Sequence, residues 1–227
     1  MPINLNVKIK MSEEAKKIAE KKKISKENFY DDFHELAHKC IIYSILIPYY
    51  HLKYKVKIFG TENIPKRPYI IASNHFSYSD PTILAIALKE PIAYVAKQEL
   101  FDDKKLSGII TFLGSIPINR EKPGPSSLKR VREAFNAGWP IGIFIEGTRN
   151  QSREYMTKLE PGAAFIAKFC GGAQVLPMGI QGGEQPGSEL IVKIGQSIQF
   201  DEKLPLEELT FKYGQAIADL ADLKLQI

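Results

Sequence analysis

Polar positions dominate the start of the chain, and their spacing predicts a helix-prone arm over residues 12–27. It opens at Ser12, with Glu13 and Glu14 where the positive end of a helix dipole favours them. A second helix is predicted from about residue 31 to residue 48, polar at first and almost wholly apolar from Cys40 onward. Its aromatic flank (Tyr43, Tyr49, Tyr50) and the lysines at 53, 55 and 57 give it the character of an interfacial anchor. Alternation then predicts a short strand over 56–60 and a turn between Pro65 and Pro68.

Beyond this point strands and helices alternate. Buried-type strands are predicted over 69–72, 92–96, 115–119 and 141–145, with helices between them. One helix starts at Pro81, and one carries Leu106, Ile109, Ile110 and Leu113. Another is capped by Ser126 or Ser127 and closed by Gly138. A helix over 163–170, strands over 174–180 and 190–200, and a closing amphipathic helix over 206–225 complete the pattern. The alternation predicts an α/β fold, a central mixed or parallel sheet flanked by helices, preceded by a helical membrane-anchoring segment. Residues 1–54 are read as that segment and residues 55–227 as the α/β domain.

Composition narrows this picture. A length of 227 residues suffices for one large domain and argues against a second. Apolar residues at 44% and charged residues at 25% are those of a folded globular protein. The formal net charge is +5, and eight lysines against four glutamates place +4 of it in residues 1–27. Such an arm is drawn to anionic lipid head groups or to nucleic acid phosphates alike, and a solvated face that binds neither fits equally well. The longest apolar run, residues 40–50, is shorter than the ~20 residues that span a bilayer, so it is a core helix or an interfacial segment. Residues 1–10 lack the apolar region and cleavage site of a secretory signal. Cys40 and Cys170, far apart in apolar surroundings, read as reduced core thiols of a cytoplasmic protein.

The chemistry concentrates at predicted strand ends, where open α/β sheets bind ligands. His75 and Asp80 lie five apart in the polar loop Asn74-His75-Phe76-Ser77-Tyr78-Ser79-Asp80. A carboxylate that accepts from one imidazole nitrogen fixes the tautomer and leaves the other nitrogen free to take a proton from an alcohol. A loop His that merely hydrogen-bonds would give the same spacing. Glu146-Gly147-Thr148-Arg149 closes another strand, with a guanidinium fork for phosphate oxygens and a glycine that lets backbone N–H groups approach an anion. Lys97 and Arg120 add cations at two further strand ends, and together these suggest an anion site. His34 and His38 share one helix face, but His51 is distant and no Cys or carboxylate cluster completes a metal site. Trp139 and the Phe and Tyr residues show no stacking pattern for nucleic acid, and no such partner is expected.

Four ordered blocks resemble the glycerolipid acyltransferase family, and within it the bacterial 1-acylglycerol-3-phosphate acyltransferases. They are Asn74-His75-x4-Asp80, Gly114 through Arg120, Phe144-Ile145-Glu146-Gly147-Thr148-Arg149 and Val175-Leu176-Pro177-Met178-Gly179-Ile180. The likeness covers roughly residues 55–200, and Lys97-Gln98-Glu99-Leu100-Phe101 resembles a further family segment. The resemblance implies that His75 is a general base partnered by Asp80. It implies that Arg120, Glu146, Gly147, Thr148 and Arg149, helped by Lys97, bind the phosphate head group, and that Pro177 shapes the acyl-donor side. Two departures stand out: Ile145 occupies a position where this family commonly has Pro, and the anchor is short and carries His34 and His38.

The implied reaction is direct transfer without a cofactor: His75 deprotonates the 2-hydroxyl of lysophosphatidate, which attacks an acyl thioester of coenzyme A or acyl-carrier protein. The chain has no G-x-S-x-G nucleophile elbow, and Ser77 and Ser79 read as hydrogen-bonding loop residues. The competing readings are transfer to another lysolipid, a lysophospholipase or thioesterase that activates water, and a non-catalytic lipid-binding protein. The expected location is the cytoplasmic face of the cell membrane, held peripherally by an anionic surface.

Overall fold

A computed structural model describes residues 29–119, 123–150 and 152–226; the arm predicted over 12–27 and the candidate Arg120 lie outside them. Helix α1 (Asp32–Ile41) begins at Asp31, whose carboxylate accepts the His34 backbone N–H at 2.9 Å. A π-helical turn (Ile42–Leu46) then leads into α2 (Ile47–Lys53), so the helix continues past Pro48 rather than stopping there. A proline ring clashes with the carbonyl four residues back. The wider turn, in which the Ile47 N–H reaches the Ile42 carbonyl, relieves that clash.

The chain continues through β1 (Lys55–Phe59), β2 (Ile70–Ser73), α3 (Asp80–Leu88), β3 (Ala93–Lys97), α4 (Lys104–Phe112) and β4 (Ile116–Ile118). It then forms α5 (Pro125–Asn136), β5 (Ile141–Phe144), β6 (Tyr155–Met156), α6 (Gly162–Phe169), β7 (Val175–Gly182), β8 (Glu189–Ile194), α7 (Leu206–Ala221) and β9 (Lys224–Leu225). Seven strands make one sheet in the order β1-β8-β7-β2-β5-β3-β4, parallel throughout except at β7–β8. This is the expected α/β fold with a mostly parallel sheet between helices. The small parallel pair β6–β9 was not foreseen. It forms because Asp222 takes the left-handed conformation (φ 57°) and ends α7 before residue 225. Helix α5 starts at Pro125 after Gly124, so neither Ser126 nor Ser127 caps it, and Ser127 is buried instead.

Successive residues of each strand face opposite sides, which splits the core in two. Ile70, Ala72, Ile141 and Ile143 pack with α5, α6 and α7; Tyr69, Ile71, Leu176 and Met178 pack with α3 and the α1–α2 helix. Every residue of α3 from Ile83 to Leu88 is buried, as expected of a helix apolar all round. Each large aliphatic side chain sunk there contributes roughly 1.5–3 kcal/mol of transfer free energy. Tyr30, Ile42 and Tyr50 are buried in these same cores, so residues 29–54 pack as part of the α/β body rather than apart from it. Cys40 is exposed, which corrects its reading as a core thiol, whereas Cys170 is half-buried against the core, where burial pushes its thiol up to about 11.

Helices α3 and α6, which follow the neighbouring strands β2 and β5, cover opposite faces of the sheet. The chain thus leaves these neighbouring strands toward opposite faces, the arrangement whose carboxyl-end crevice binds ligands in open α/β sheets.

Candidate active site

The loop after β2 carries His75 to this crevice, and its shape is set from several sides. Asn74 is fully buried, and its side-chain amide pairs with the β7 backbone, donating to the Ile180 carbonyl at 3.0 Å and accepting the Ile180 N–H at 2.8 Å. A side chain thus substitutes for a peptide group where β2 leaves the sheet. Asp80, 1% exposed, turns one carboxylate oxygen, Oδ2, to three donors: His75 Nδ1 at 2.7 Å, the Phe76 N–H at 2.6 Å and the Ser77 N–H at 2.7 Å. These bonds compensate the burial of the charge and curl the loop around it. Ser77 Oγ accepts the Ser79 N–H at 3.2 Å, a loop-stabilising bond.

With Asp80 accepting, the imidazole proton resides on Nδ1. Nε2 keeps its lone pair and makes no hydrogen bond among the described residues, on a side chain that is 17% exposed. The ring also lies on Phe144, with centroids 3.9 Å apart and planes inclined by 13°. Tyr94 runs parallel to Phe144 at 5.8 Å and donates to the Pro81 carbonyl at 2.8 Å. Gly142 makes room for this column, since a Cβ there would come within 2.5 Å of the Tyr94 ring.

The loop after β5 locks onto the His75 loop through Glu146 and Asn150. Glu146 is 3% exposed; one carboxylate oxygen accepts the His75 backbone N–H at 3.1 Å and the other the Asn150 amide at 2.5 Å. The Asn150 backbone N–H donates to the His75 carbonyl at 2.7 Å. Burial pushes the Glu146 carboxyl above its ordinary range, against the pull of these donors. With both oxygens engaged, Glu146 braces the two loops against each other. The strand-end turn closes where the Gly147 N–H meets the Phe144 carbonyl at 3.0 Å, with Gly147 at φ 71°, a conformation glycine enters freely. Ile145 donates its N–H to the Ser73 carbonyl at 3.0 Å, a bond that a proline at this position could not make.

The cations differ in their surroundings. Arg149 is exposed beside Thr148; its guanidinium lies 3.6 Å over the Tyr78 ring and donates to the Tyr78 hydroxyl at 2.9 Å. No carboxylate pairs with it among the described residues. Lys97, at the end of β3 two strands from β2, is paired with Glu99 at 3.1 Å. Arg153 lies on Phe76 at 4.3 Å, donates to the Gly182 carbonyl at 2.9 Å and faces Glu184 at 3.8 Å. Pro177 is buried inside β7, opposite the end of β8, where Gly195 donates to its carbonyl at 2.9 Å.

The structure therefore joins His75, Asp80, Glu146 and, through Tyr78, Arg149. It leaves Lys97 beside its own counter-ion and Pro177 within the sheet. Sequence reasoning gave no role to Asn74, Tyr78, Phe144, Asn150 or Arg153, because their partners are distant in the chain. His34 holds Asp31 at 2.7 Å and buried His38 holds the Phe112 carbonyl at 2.7 Å. Among the described residues no group of three or more His, Cys, Asp or Glu side chains is placed to hold a metal ion.

Known proteins share sequence and fold with this chain. The 1-acyl-sn-glycerol-3-phosphate acyltransferase of Bacillus subtilis is 33% identical over 160 residues, 70% of this chain and 77% of the relative. The enzyme of the same name from Pseudomonas aeruginosa is 31% identical over 137 residues, 59% of this chain and about half (51%) of its own length. The crystal structure of the 1-acyl-sn-glycerophosphate (LPA) acyltransferase PlsC from Thermotoga maritima shares the fold, with a TM-score of 0.65 and 23% identity over 82% of this chain and 77% of that one. A family model, Acyltransferase, matches residues 55–181, a span that holds both site loops. The chain belongs to the Acyltransferase family.

Proposed function

We propose that this acyltransferase moves a fatty acyl group from a thioester of coenzyme A or acyl-carrier protein to the 2-hydroxyl of 1-acylglycerol 3-phosphate, forming phosphatidate. The observation that carries the reading is the His75–Asp80 pair, bonded at 2.7 Å through Nδ1, with no hydrogen bond on Nε2 among the described residues. Nε2 takes the hydroxyl proton as the oxygen attacks the thioester carbonyl. The tetrahedral intermediate then expels the carrier thiolate, and the imidazolium gives its proton to that sulfur. This sequence calls on no cofactor. Arg149, charged and without a carboxylate partner among the described residues, suits the acceptor phosphate, and the names of the relatives support that acceptor.

The same reading puts the protein on the cytoplasmic face of the cell membrane, held peripherally. No helix among the described residues is long and apolar enough to cross a membrane. The α1–α2 helix instead exposes Phe33, Leu36, Tyr43, Ile45, Tyr49 and Leu52, the last to 91%. A cluster of this kind suits an interface rather than water.

The test is to incubate the purified chain with lysophosphatidate and an acyl thioester and to measure phosphatidate by mass spectrometry, with His75→Ala as the inactive control. Thioester consumed equally fast without acceptor would make the protein a hydrolase. A phosphate-free lysolipid accepted equally well would remove the phosphate assignment.

A further inference from the structure

We infer that Tyr78 is a positioning residue that holds Arg149 ready for the acceptor phosphate; the inference rests on the function proposed above. Tyr78 is 65% exposed, so burial does not explain a large aromatic in this loop. Its contacts with Arg149 are of two kinds. The guanidinium carbon lies 3.6 Å above the ring, which sets the plane of the group, and the 2.9 Å bond to the hydroxyl sets its rotation within that plane. A long side chain is thereby ordered before any ligand arrives, which lowers the entropy lost on binding.

The remaining guanidinium N–H groups meet no described acceptor, whereas Arg153 is engaged by Gly182 and Glu184 and Lys97 by Glu99. Such a cation matches the paired oxygens of a phosphomonoester. The loop adds registration. Tyr78 stands three residues after His75 and two before Asp80, within the turn that Asp80 closes. The platform for the phosphate-binding cation and the base thus belong to one rigid loop. An acceptor whose hydroxyl and phosphate sit on adjacent carbons needs that fixed separation.

Kinetics with lysophosphatidate and palmitoyl-coenzyme A, alongside calorimetric binding of glycerol 3-phosphate, test this on the full chain. Tyr78→Leu is expected to raise the acceptor KM about tenfold while kcat changes less than about threefold. Tyr78→Phe, which keeps the ring and loses the hydroxyl, should recover most of that loss. Tyr78→Leu added to Arg149→Ala should cost nothing further, because the two act as one unit. An unchanged KM in a Tyr78→Leu protein with native melting temperature overturns the inference, as does a loss that adds fully to that of Arg149→Ala. If the parent chain forms no phosphatidate, the proposed function fails. Glycerol 3-phosphate binding then decides alone, and equal affinity of parent and Tyr78→Leu overturns the role of Tyr78.

Discussion

The imidazole of His75 lies almost parallel to the phenyl ring of Phe144, 3.9 Å away, while its Nδ1 is fixed 2.7 Å from Asp80. The hydrogen bond fixes one edge of the ring and the stacking fixes its plane. Together they hold Nε2 in one orientation. Neither contact alone does this, since a single hydrogen bond leaves the ring free to rock.

Replacing Phe144 with Leu keeps the bulk of the side chain and removes the flat face. The expected result is a fall in kcat of about tenfold with little change in acceptor KM, because orientation of the base matters in the transition state more than in binding. Steady-state kinetics check this, and a change confined to KM would show that Phe144 contacts the acceptor instead.

Asp80→Asn presents an amide to the three donors that the carboxylate now satisfies. Proton transfer by a positioned base contributes about 10²–10⁴-fold, and most of that should vanish with the tautomer no longer fixed. Single-turnover rates under saturating substrate measure the effect, and a loss below about threefold would assign Asp80 to loop folding alone.

Glu146→Gln places an amide NH2 against one of two donors, the His75 N–H or the Asn150 side chain. Buried donors left unpaired cost about 1–3 kcal/mol. The expected outcome is a lower melting temperature together with reduced kcat, and the acceptor KM should move less. A selective rise in KM would return Glu146 to the head group. Asn150→Ala should behave in the same way, since it holds the same loop from the other side.

Tyr50 of α2 is buried, and its hydroxyl lies 2.5 Å from Thr82 Oγ1 and 3.4 Å from the Ser79 carbonyl at the start of α3. The apolar helix is thereby joined to the loop that carries His75. Tyr50→Phe should lower stability by about 0.5–1.5 kcal/mol in urea titration and reduce kcat measurably. Tyr49→Phe, altering an exposed neighbour, should do neither. Equal behaviour of the two would mean that the helix does not brace the catalytic loop.

His38 is buried against Phe112 and Trp139, and burial holds its imidazole below the ordinary value of 6.5. In the unfolded chain this group binds a proton more readily than in the folded one. Its contribution to stability is therefore present above pH 6.5 and is lost as the pH falls below it. Melting temperatures between pH 7.5 and about 5 should drop more steeply for the parent chain than for His38→Gln. Parallel curves would show that His38 takes no part in the acid loss.

The α/β architecture was legible because its signals are local. Short apolar runs such as 69–72 and 141–145, the proline at 81 and the glycine at 138 each act on their own segment. The path of α1–α2 through Pro48 was not legible, because the π turn that accommodates the ring changes hydrogen bonding rather than side-chain pattern. Nor was β6–β9, whose two short strands pair across about seventy residues of chain.

At the site, the sequence by itself determined the five-residue spacing of His75 and Asp80, which a single loop can close without outside help. It also determined the kinds of residue at the ends of β2 and β5. Only the tertiary structure decided what those residues do. Placing β2 beside β5 made Glu146 a brace between two loops, brought Phe144 under His75, and laid Arg149 on Tyr78. The physical reason is that each of these contacts joins positions about seventy residues apart, where local pattern carries no information about which groups meet.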